Sequence, residues 1–288
     1  MSAEILDGKK LAKEIKYGVS KAVDGLGFQP VLATVYDEND EASTMYVGMK
    51  KKAAAEAGIK TLDYPIGAGT TQSQILETIG KLNSDGSVNG ILVQLPLPKG
   101  VDEQVILNSI NPLKDVDGFT PANLGALSAG DETMVSATPK GVIRLLGEYG
   151  IGFKGKEAVI VNHSIVVGRP LSMLLLNRNA TVTVCHIHTK DLASHTRNAD
   201  LLFSATGVAG LIKKDMVKEG AVVVDIGVAK TEKGVVGDVD FEEVSKKASY
   251  ITPVPGGTGP MTIASLLENT IIAARIQGRA SQGGGGST

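Results

Sequence analysis

Short apolar runs rich in β-branched residues alternate along this chain with longer stretches of helical periodicity, and that alternation leaves few folds open. Pro30-Val-Leu-Ala-Thr-Val-Tyr36, Lys60–Ile66 and Val88-Asn-Gly-Ile-Leu-Val-Gln94 read as strands. Between and before them lie helical stretches. Residues 8–25 place Leu11, Ile15, Val19 and Val23 on one face behind an Asp7 cap, and 41–58 and 71–83 follow. The pattern resumes after Thr138-Pro-Lys-Gly141, which opens a helix with Pro139 near its first turn and marks a domain boundary. Strands are then expected at Glu157-Ala-Val-Ile-Val161, Ala180-Thr-Val-Thr-Val-Cys-His186, Asp200-Leu-Leu-Phe-Ser-Ala205 and Ala221-Val-Val-Val-Asp-Ile226, with a helix to Asn177 after the first. Strands joined through helices in this way run parallel, so the expected class is α/β. The βαβαβ order of the second half is that of a Rossmann-like dinucleotide-binding domain.

With 288 residues, 42% hydrophobic and 21% charged, the chain is long enough for two cored domains. A net charge of −2 makes no electrostatic case for nucleic acid or an anionic membrane, and 4% aromatics without Trp argue against base stacking. The single cysteine, Cys185, lies in a strand-like run and reads as a buried thiol, so no intrachain disulfide is expected. The start of the chain lacks a signal-peptide pattern, and no apolar run is long enough to span a bilayer. A cytoplasmic protein is the expectation. The segment Ser281-Gln-Gly-Gly-Gly-Gly-Ser-Thr288 reads as a flexible linker.

Tyr46 and Lys50 fall four residues apart in an Ala-rich helix that Gly58 closes, so phenol and ammonium share a face. A lysine beside a phenol at the mouth of a cleft can act as an acid, or as a base if its pKa is lowered; the bland alternative is an incidental pair on a solvated helix. Gln94 ends a strand and runs into Leu95-Pro-Leu-Pro98. Ligands in open α/β sheets lie beyond the carboxyl ends of strands, so Gln94 is either a ligand-facing group or an ordinary strand-end amide. After a helix near 102–110, Asn111-Pro-Leu-Lys-Asp-Val-Asp-Gly-Phe-Thr-Pro121 is a loop of the kind that carries function. Its Asp115 and Asp117 could bind a cation, but two carboxylates without further ligands are weak metal evidence.

In the second half, the loop Asn162-His-Ser-Ile-Val-Val-Gly-Arg-Pro170 departs from Gly-x-Gly-x-x-Gly. Asn162 and Ser164 stand where glycines are expected, and only Gly168 remains. Thr206-Gly207 follows one strand and Gly227-Val228 another, so glycine-bearing turns recur where a cofactor approaches backbone. His186-Ile-His-Thr-Lys190 carries no carboxylate to bond ribose hydroxyls. With His163, Arg169 and Lys190 in reach, a 2′-phosphate is better tolerated, which favours NADP and leaves NAD open. Ile251-Thr-Pro-Val-Pro-Gly-Gly-Thr-Gly-Pro-Met-Thr262 leads through a Gly/Pro loop into a helix with Pro260 just before it, ending near Gln277. It could offer backbone donors to phosphate or polar ligand atoms, or simply turn the chain back to the first domain.

Six pieces occur in one order over nearly the whole chain: Asp40-Glu-Ala-Ser43 with Tyr46 and Lys50, Gly90-Ile-Leu-Val-Gln-Leu-Pro-Leu-Pro98, Lys114-Asp-Val-Asp-Gly118, Thr138-Pro-Lys-Gly141, Val167-Gly-Arg-Pro170, and Thr252-Pro-Val-Pro-Gly-Gly-Thr-Gly-Pro-Met-Thr262. In them the chain resembles the bifunctional methylenetetrahydrofolate dehydrogenase/methenyltetrahydrofolate cyclohydrolase family. The resemblance implies two α/β domains with a cleft between them. One is an N-terminal three-layer folate-binding domain (1–138 plus 259–279, the final helix returning to it). The other is an NAD(P)-binding Rossmann domain (139–258), and 280–288 is left as a tail. It implies Lys50 as the central catalytic group, Tyr46 on the folate, Gln94 orienting Lys50 and Asp117 on the donor edge of the pterin, with Pro255, Gly256 and Gly257 bordering the pocket and no metal. On the cofactor side it implies Asn162, His163, Ser164, Gly168, Arg169, Ile187, Thr206, Gly207 and Val228. The implied reactions are oxidation of 5,10-methylenetetrahydrofolate by NADP and hydrolysis of the product to 10-formyltetrahydrofolate, by a homodimer.

Departures from the family pattern concern the cofactor. Asn162-His163-Ser164 replaces Gly-Arg-Ser, removing its usual 2′-phosphate arginine, and Ile187 replaces a serine. His163 in place of the arginine would make phosphate binding pH-sensitive. Glu41 follows Asp40 where proline is common, and Ala137 replaces a frequent cysteine; neither touches a reacting group. A dehydrogenase without hydrolysis, and a folate- or nucleotide-binding regulator without turnover, are the competing readings.

Overall fold

The computed structural model describes residues 2–232 and 234–283, with side chains as far as residue 278. In chain order, β1 (Glu4–Ile5) and α1 (Gly8–Asp24) precede β2 (Val31–Asp37), α2 (Glu41–Glu56), β3 (Lys60–Ile66), α3 (Gln72–Ser84) and β4 (Gly90–Val93). Three helices follow, α4 (Glu103–Asn108), α5 (Pro121–Ser128) and α6 (Ala137–Glu148). Then come β5 (Glu157–Val161), α7 (Gly168–Leu176), β6 (Thr181–Cys185), α8 (Leu192–Thr196), β7 (Leu201–Ser204) and β8 (Val222–Asp225). The chain finishes with β9 (Ala229–Thr231), β10 (Gly234–Val236), α9 (Phe241–Val244), β11 (Tyr250–Ile251) and the long α10 (Thr258–Gly283). It divides into two compact units: Glu14–Ala137 with the chain from Ile263, and Thr138–Thr262 with the chain up to Lys13.

The first unit is built on a parallel sheet in the order β3-β2-β4. The first five residues of β2 are all buried, so both faces of this central strand are covered. Local chemistry sets the ends of α2: the Asp40 carboxylate accepts from the Ser43 amide at 2.7 Å, and Gly58 takes φ +81 just past the last turn. A capping box between Thr71 and Gln74 starts α3. From this unit's part of α10, Leu266, Leu267, Ile271 and Ala274 are buried, and Asn269 donates from Nδ2 to the carbonyls of Val116 and Val135, both at 2.8 Å.

The second unit holds a six-stranded parallel sheet, β1-β11-β8-β7-β5-β6. After the edge strand β1, the chain re-enters this sheet at β5, winds one way to β6 and the other way to β7, β8 and β11. The strand order therefore reverses beside β5.

The structure departs from the sequence expectation at the domain edges. Residues up to Lys13, placed in the first domain from sequence, belong to the Rossmann-like unit, because β1 adds in parallel to β11 with Glu4 opposite Tyr250 and Ile5 opposite Ile251. Thr258–Thr262 of α10 fall in the same unit, and Pro260 lies within the first turn of that helix rather than before it. The helix continues to Gly283, so the first four residues of the segment read as a tail are helical, while 284–288 lie outside the described residues. Helix α5 arises where no element was expected, capped by Thr120 with Pro121 in its first turn.

Candidate active site

Lys50 lies in α2 one turn beyond Tyr46, and both are half-buried. The Lys50 ammonium donates to Gln94 Oε1 at 2.9 Å. Gln94 follows β4 directly, and its own Nε2 donates to the Leu95 carbonyl at 2.9 Å, which holds the amide with its oxygen toward Lys50. Burial pushes the Lys50 pKa below that of an ordinary lysine, and the nearby Asp117 carboxylate partly restores it.

Asp117 is positioned by the residues around it, each tied to something else. The Lys114 ammonium donates to the carbonyls of Leu82 at 2.9 Å and Asp85 at 2.7 Å, closing the C-terminal end of α3. Asp115, 1% exposed, accepts from the Gly118 amide (2.9 Å), the Thr120 amide (2.8 Å) and Asn123 Nδ2 (2.9 Å), so it shapes the loop. Asn269 holds the Val116 carbonyl. Gly118 turns with φ +68 so close to the 135–136 backbone that a Cβ would stand 2.8 Å from the Ser136 amide nitrogen. The Asp117 carboxylate itself makes no hydrogen bond among the described residues. Burial raises its pKa to about 6 despite the attraction of Lys50, and Asp115 adds to the rise.

The sequence-derived cofactor residues lie in the second unit, at the carboxyl ends of its strands. Asn162, just past β5, takes over what a glycine-rich turn usually does. Its Oδ1 accepts from the Ser164 amide (2.8 Å), the Ser164 hydroxyl (2.7 Å) and the Gly168 amide (3.0 Å), and its Nδ2 donates to the Ala205 carbonyl beyond β7 at 2.6 Å. Gly168 is required here because a Cβ would collide with the Asn162 carbonyl. The amides of Gly168 and Arg169 at the start of α7 are engaged within the loop, so side chains rather than these amides face an incoming ligand. His163 and His186 stack obliquely with ring centroids 5.0 Å apart, and His188 meets His186 at 6.0 Å. Ile187 is 89% exposed and Val228 is also exposed.

Thr206 is held by a residue that sequence reasoning missed. Asp238 Oδ2 accepts from the Thr206 amide (2.6 Å), the Thr206 hydroxyl (2.9 Å) and the Ser204 hydroxyl (2.7 Å). Asp225, at the end of β8, accepts from the amides of Asp238 (3.0 Å) and Val239 (2.9 Å); burial pushes its pKa to about 7, with the Asp238 charge adding to the rise. A carboxylate closing the apolar run Val222-Val-Val-Asp225 was the available signal. Pro255, Gly256 and Gly257 lie in this unit as well. The Gly257 amide donates to Pro253 at 2.9 Å, Gly256 has φ +121, and the Lys9 side chain runs beside it. Among the described residues no three His, Cys, Asp or Glu side chains are grouped to hold a metal ion, and no helix is long and apolar enough to cross a membrane.

Residues 6–117 match the family model described as tetrahydrofolate dehydrogenase/cyclohydrolase, catalytic domain, and 136–278 match its NAD(P)-binding domain. The bifunctional protein FolD of Methanosarcina barkeri is 52% identical over 273 residues, covering 93% of this chain and 95% of that protein. Among solved structures, the bifunctional FolD methylenetetrahydrofolate dehydrogenase/cyclohydrolase of Campylobacter jejuni is 51% identical with a TM-score of 0.93, covering 96% of this chain and 99% of its own. The Trypanosoma brucei dehydrogenase–cyclohydrolase, solved with NADP and an inhibitor, is 35% identical with a TM-score of 0.92, covering 97% and 99%.

Proposed function

Because the chain belongs to the tetrahydrofolate dehydrogenase/cyclohydrolase family, we propose that it oxidises 5,10-methylenetetrahydrofolate to 5,10-methenyltetrahydrofolate with NADP and hydrolyses that product to 10-formyltetrahydrofolate. The observation that carries the chemistry is Lys50, held by Gln94 and part-buried, within electrostatic reach of an unpartnered Asp117. Asp117 accepts two hydrogen bonds from the amino-pyrimidinone edge of the pterin, a planar match that orients the ligand. Tyr46 packs on the folate from the same helix face as Lys50.

The dinucleotide suits the second unit. The strand order reverses beside β5, Gly207 opens the backbone after β7 with φ +72, and His186-Ile-His-Thr-Lys190 directly after β6 carries no carboxylate to repel a 2′-phosphate. NADP, when bound, supplies the hydride-accepting chemistry. Loss of hydride leaves a cation on the one-carbon bridge, and a lysine with lowered pKa opposes that cation less than an ordinary ammonium would. In hydrolysis, water oxygen bonds to the bridge carbon while Lys50 Nζ takes a proton. The bond from that carbon to N5 then breaks as Lys50 returns the proton to N5, and the second water proton leaves to solvent. Gln94 keeps Nζ aimed throughout. A cytoplasmic homodimer belongs to the same proposal through the family resemblance, and light scattering tests the dimer.

Given 5,10-methylenetetrahydrofolate and NADP, the purified protein should raise the reduced-nicotinamide band while the methenyl band appears only transiently. No change in either band overturns the reading, and a methenyl band that persists overturns the hydrolytic half.

A further inference from the structure

We propose that the imidazole cluster of His163, His186 and His188 reads the 2′-phosphate, so that this chain's preference for NADP over NAD strengthens as pH falls. The inference rests on the dinucleotide-binding reading of the second unit. β5 and β6 are paired in parallel with Val161 opposite Cys185, which brings His163, two residues past one strand, to His186, one residue past the other. That is where a doubly wound sheet receives the adenosine ribose, and where an acidic residue would select for free hydroxyls. The nearest acid, Asp191, is occupied as the cap of α8, accepting from Ser194 at 3.3 Å.

The donors are complementary. His186 Nδ1 accepts from the His188 amide at 3.2 Å, so the proton of the neutral ring sits on Nε2, which points away as a donor. The His163 ring nitrogens make no hydrogen bond among the described residues, so a proton gained there is available to a ligand. A dianion beside the paired rings takes charge-assisted hydrogen bonds from them when they carry protons. The remaining groups on these segments are Arg169, whose Nε donates to the His163 carbonyl at 3.1 Å, the exposed Lys190, and Cys185, a buried thiol whose pKa burial raises. Neither cation changes charge over the neutral range, which leaves the imidazoles as the sensitive element. A metal reading does not compete, since these rings form no ligand group.

The test is calorimetric titration with NADP, NAD and, as a probe of the subsite alone, adenosine 2′,5′-bisphosphate from pH 8.5 to 6.5. The ratio of NAD to NADP dissociation constants should rise roughly tenfold on acidification, the difference between a neutral and a charge-assisted hydrogen bond. His163→Gln should flatten this rise, so that the NAD to NADP ratio no longer climbs on acidification. His163→Arg should give a strong preference without it, exposing only the phosphate's own ionisation, which acts in the opposite direction. A wild-type ratio indifferent to pH, or a wild-type profile surviving in His163→Gln, overturns the inference alone. Failure of both NAD and NADP to bind overturns the dinucleotide reading together with it.

Discussion

Asp117 and Asp238 are both aspartates in short connecting segments, one in each unit, and their surroundings could hardly differ more. Asp238 Oδ2 takes three hydrogen bonds from Ser204 and Thr206 and locks a glycine turn, and only its buried Oδ1 has no partner. Among the described residues Asp117 takes none, although Lys114, Asp115 and Val116 beside it are all tied down. One carboxylate is consumed in giving the backbone its shape; the other is held in place with its hydrogen-bonding capacity unmet. The contrast extends to their neighbours. Asn162 and Asp225 serve local structure, whereas Lys50 has one hydrogen-bond partner among the described residues and a lowered pKa. Chemistry at a site requires groups whose valence the fold leaves open, and such groups reduce stability while awaiting a ligand.

The sharpest break is Lys50→Met, which should lower hydrolysis by roughly 10³-fold or more while NADP affinity in a binding titration stays within twofold. Retained hydrolysis would place the acid–base group elsewhere. Next is Asp117→Asn, which swaps one acceptor of the planar pair for a donor. We expect kcat/KM for the folate to fall about 10²-fold, chiefly through KM.

Asp238→Ala should act in the opposite sense, on stability. It strands the Ser204 and Thr206 donors in the interior, so urea unfolding should show a loss of about 2–3 kcal/mol together with weakened NADP binding. The smallest effect belongs to Asp117→Asn measured by the same unfolding at pH 7. Because the native pKa of Asp117 is raised to about 6, the native state holds its proton more tightly than the unfolded chain does. This carboxyl's contribution to stability therefore falls as pH rises from about 4 to 6 and stays low above that. Removing the charge should leave the protein as stable as wild type or about 1 kcal/mol more so, after discounting for partial exposure. A loss equal to that of Asp238→Ala would erase the distinction between the two aspartates.

Much of this was legible in the amino-acid order, for identifiable reasons. The strands of both sheets announce themselves because buried parallel strands are near-continuous runs such as Val31-Leu-Ala-Thr-Val35 and Val222-Val-Val-Asp225. Tyr46 and Lys50 could be placed on one face from helix geometry alone. The pairing of β1 with β11 was not legible, because a two-residue strand carries no periodicity and its partner lies more than two hundred residues away. Helix α5 was hidden for a related reason: eight residues behind a Thr-Pro cap look like the loop that precedes them. Asp225 and Asp238 were missed because their meaning lies in each other and in Thr206, which no local window contains.

The central claim is that Asp117 is a carboxylate waiting for the donor edge of a folate, and proton accounting tests it most directly. Tetrahydrofolate binding should be followed by calorimetry at pH 6 in two buffers of different ionisation enthalpy, for wild type and Asp117→Asn. The account predicts net proton release in wild type, as the raised pKa falls on accepting two hydrogen bonds, and loss of that release in the variant. Identical proton release in the two proteins, or none in wild type, would contradict it.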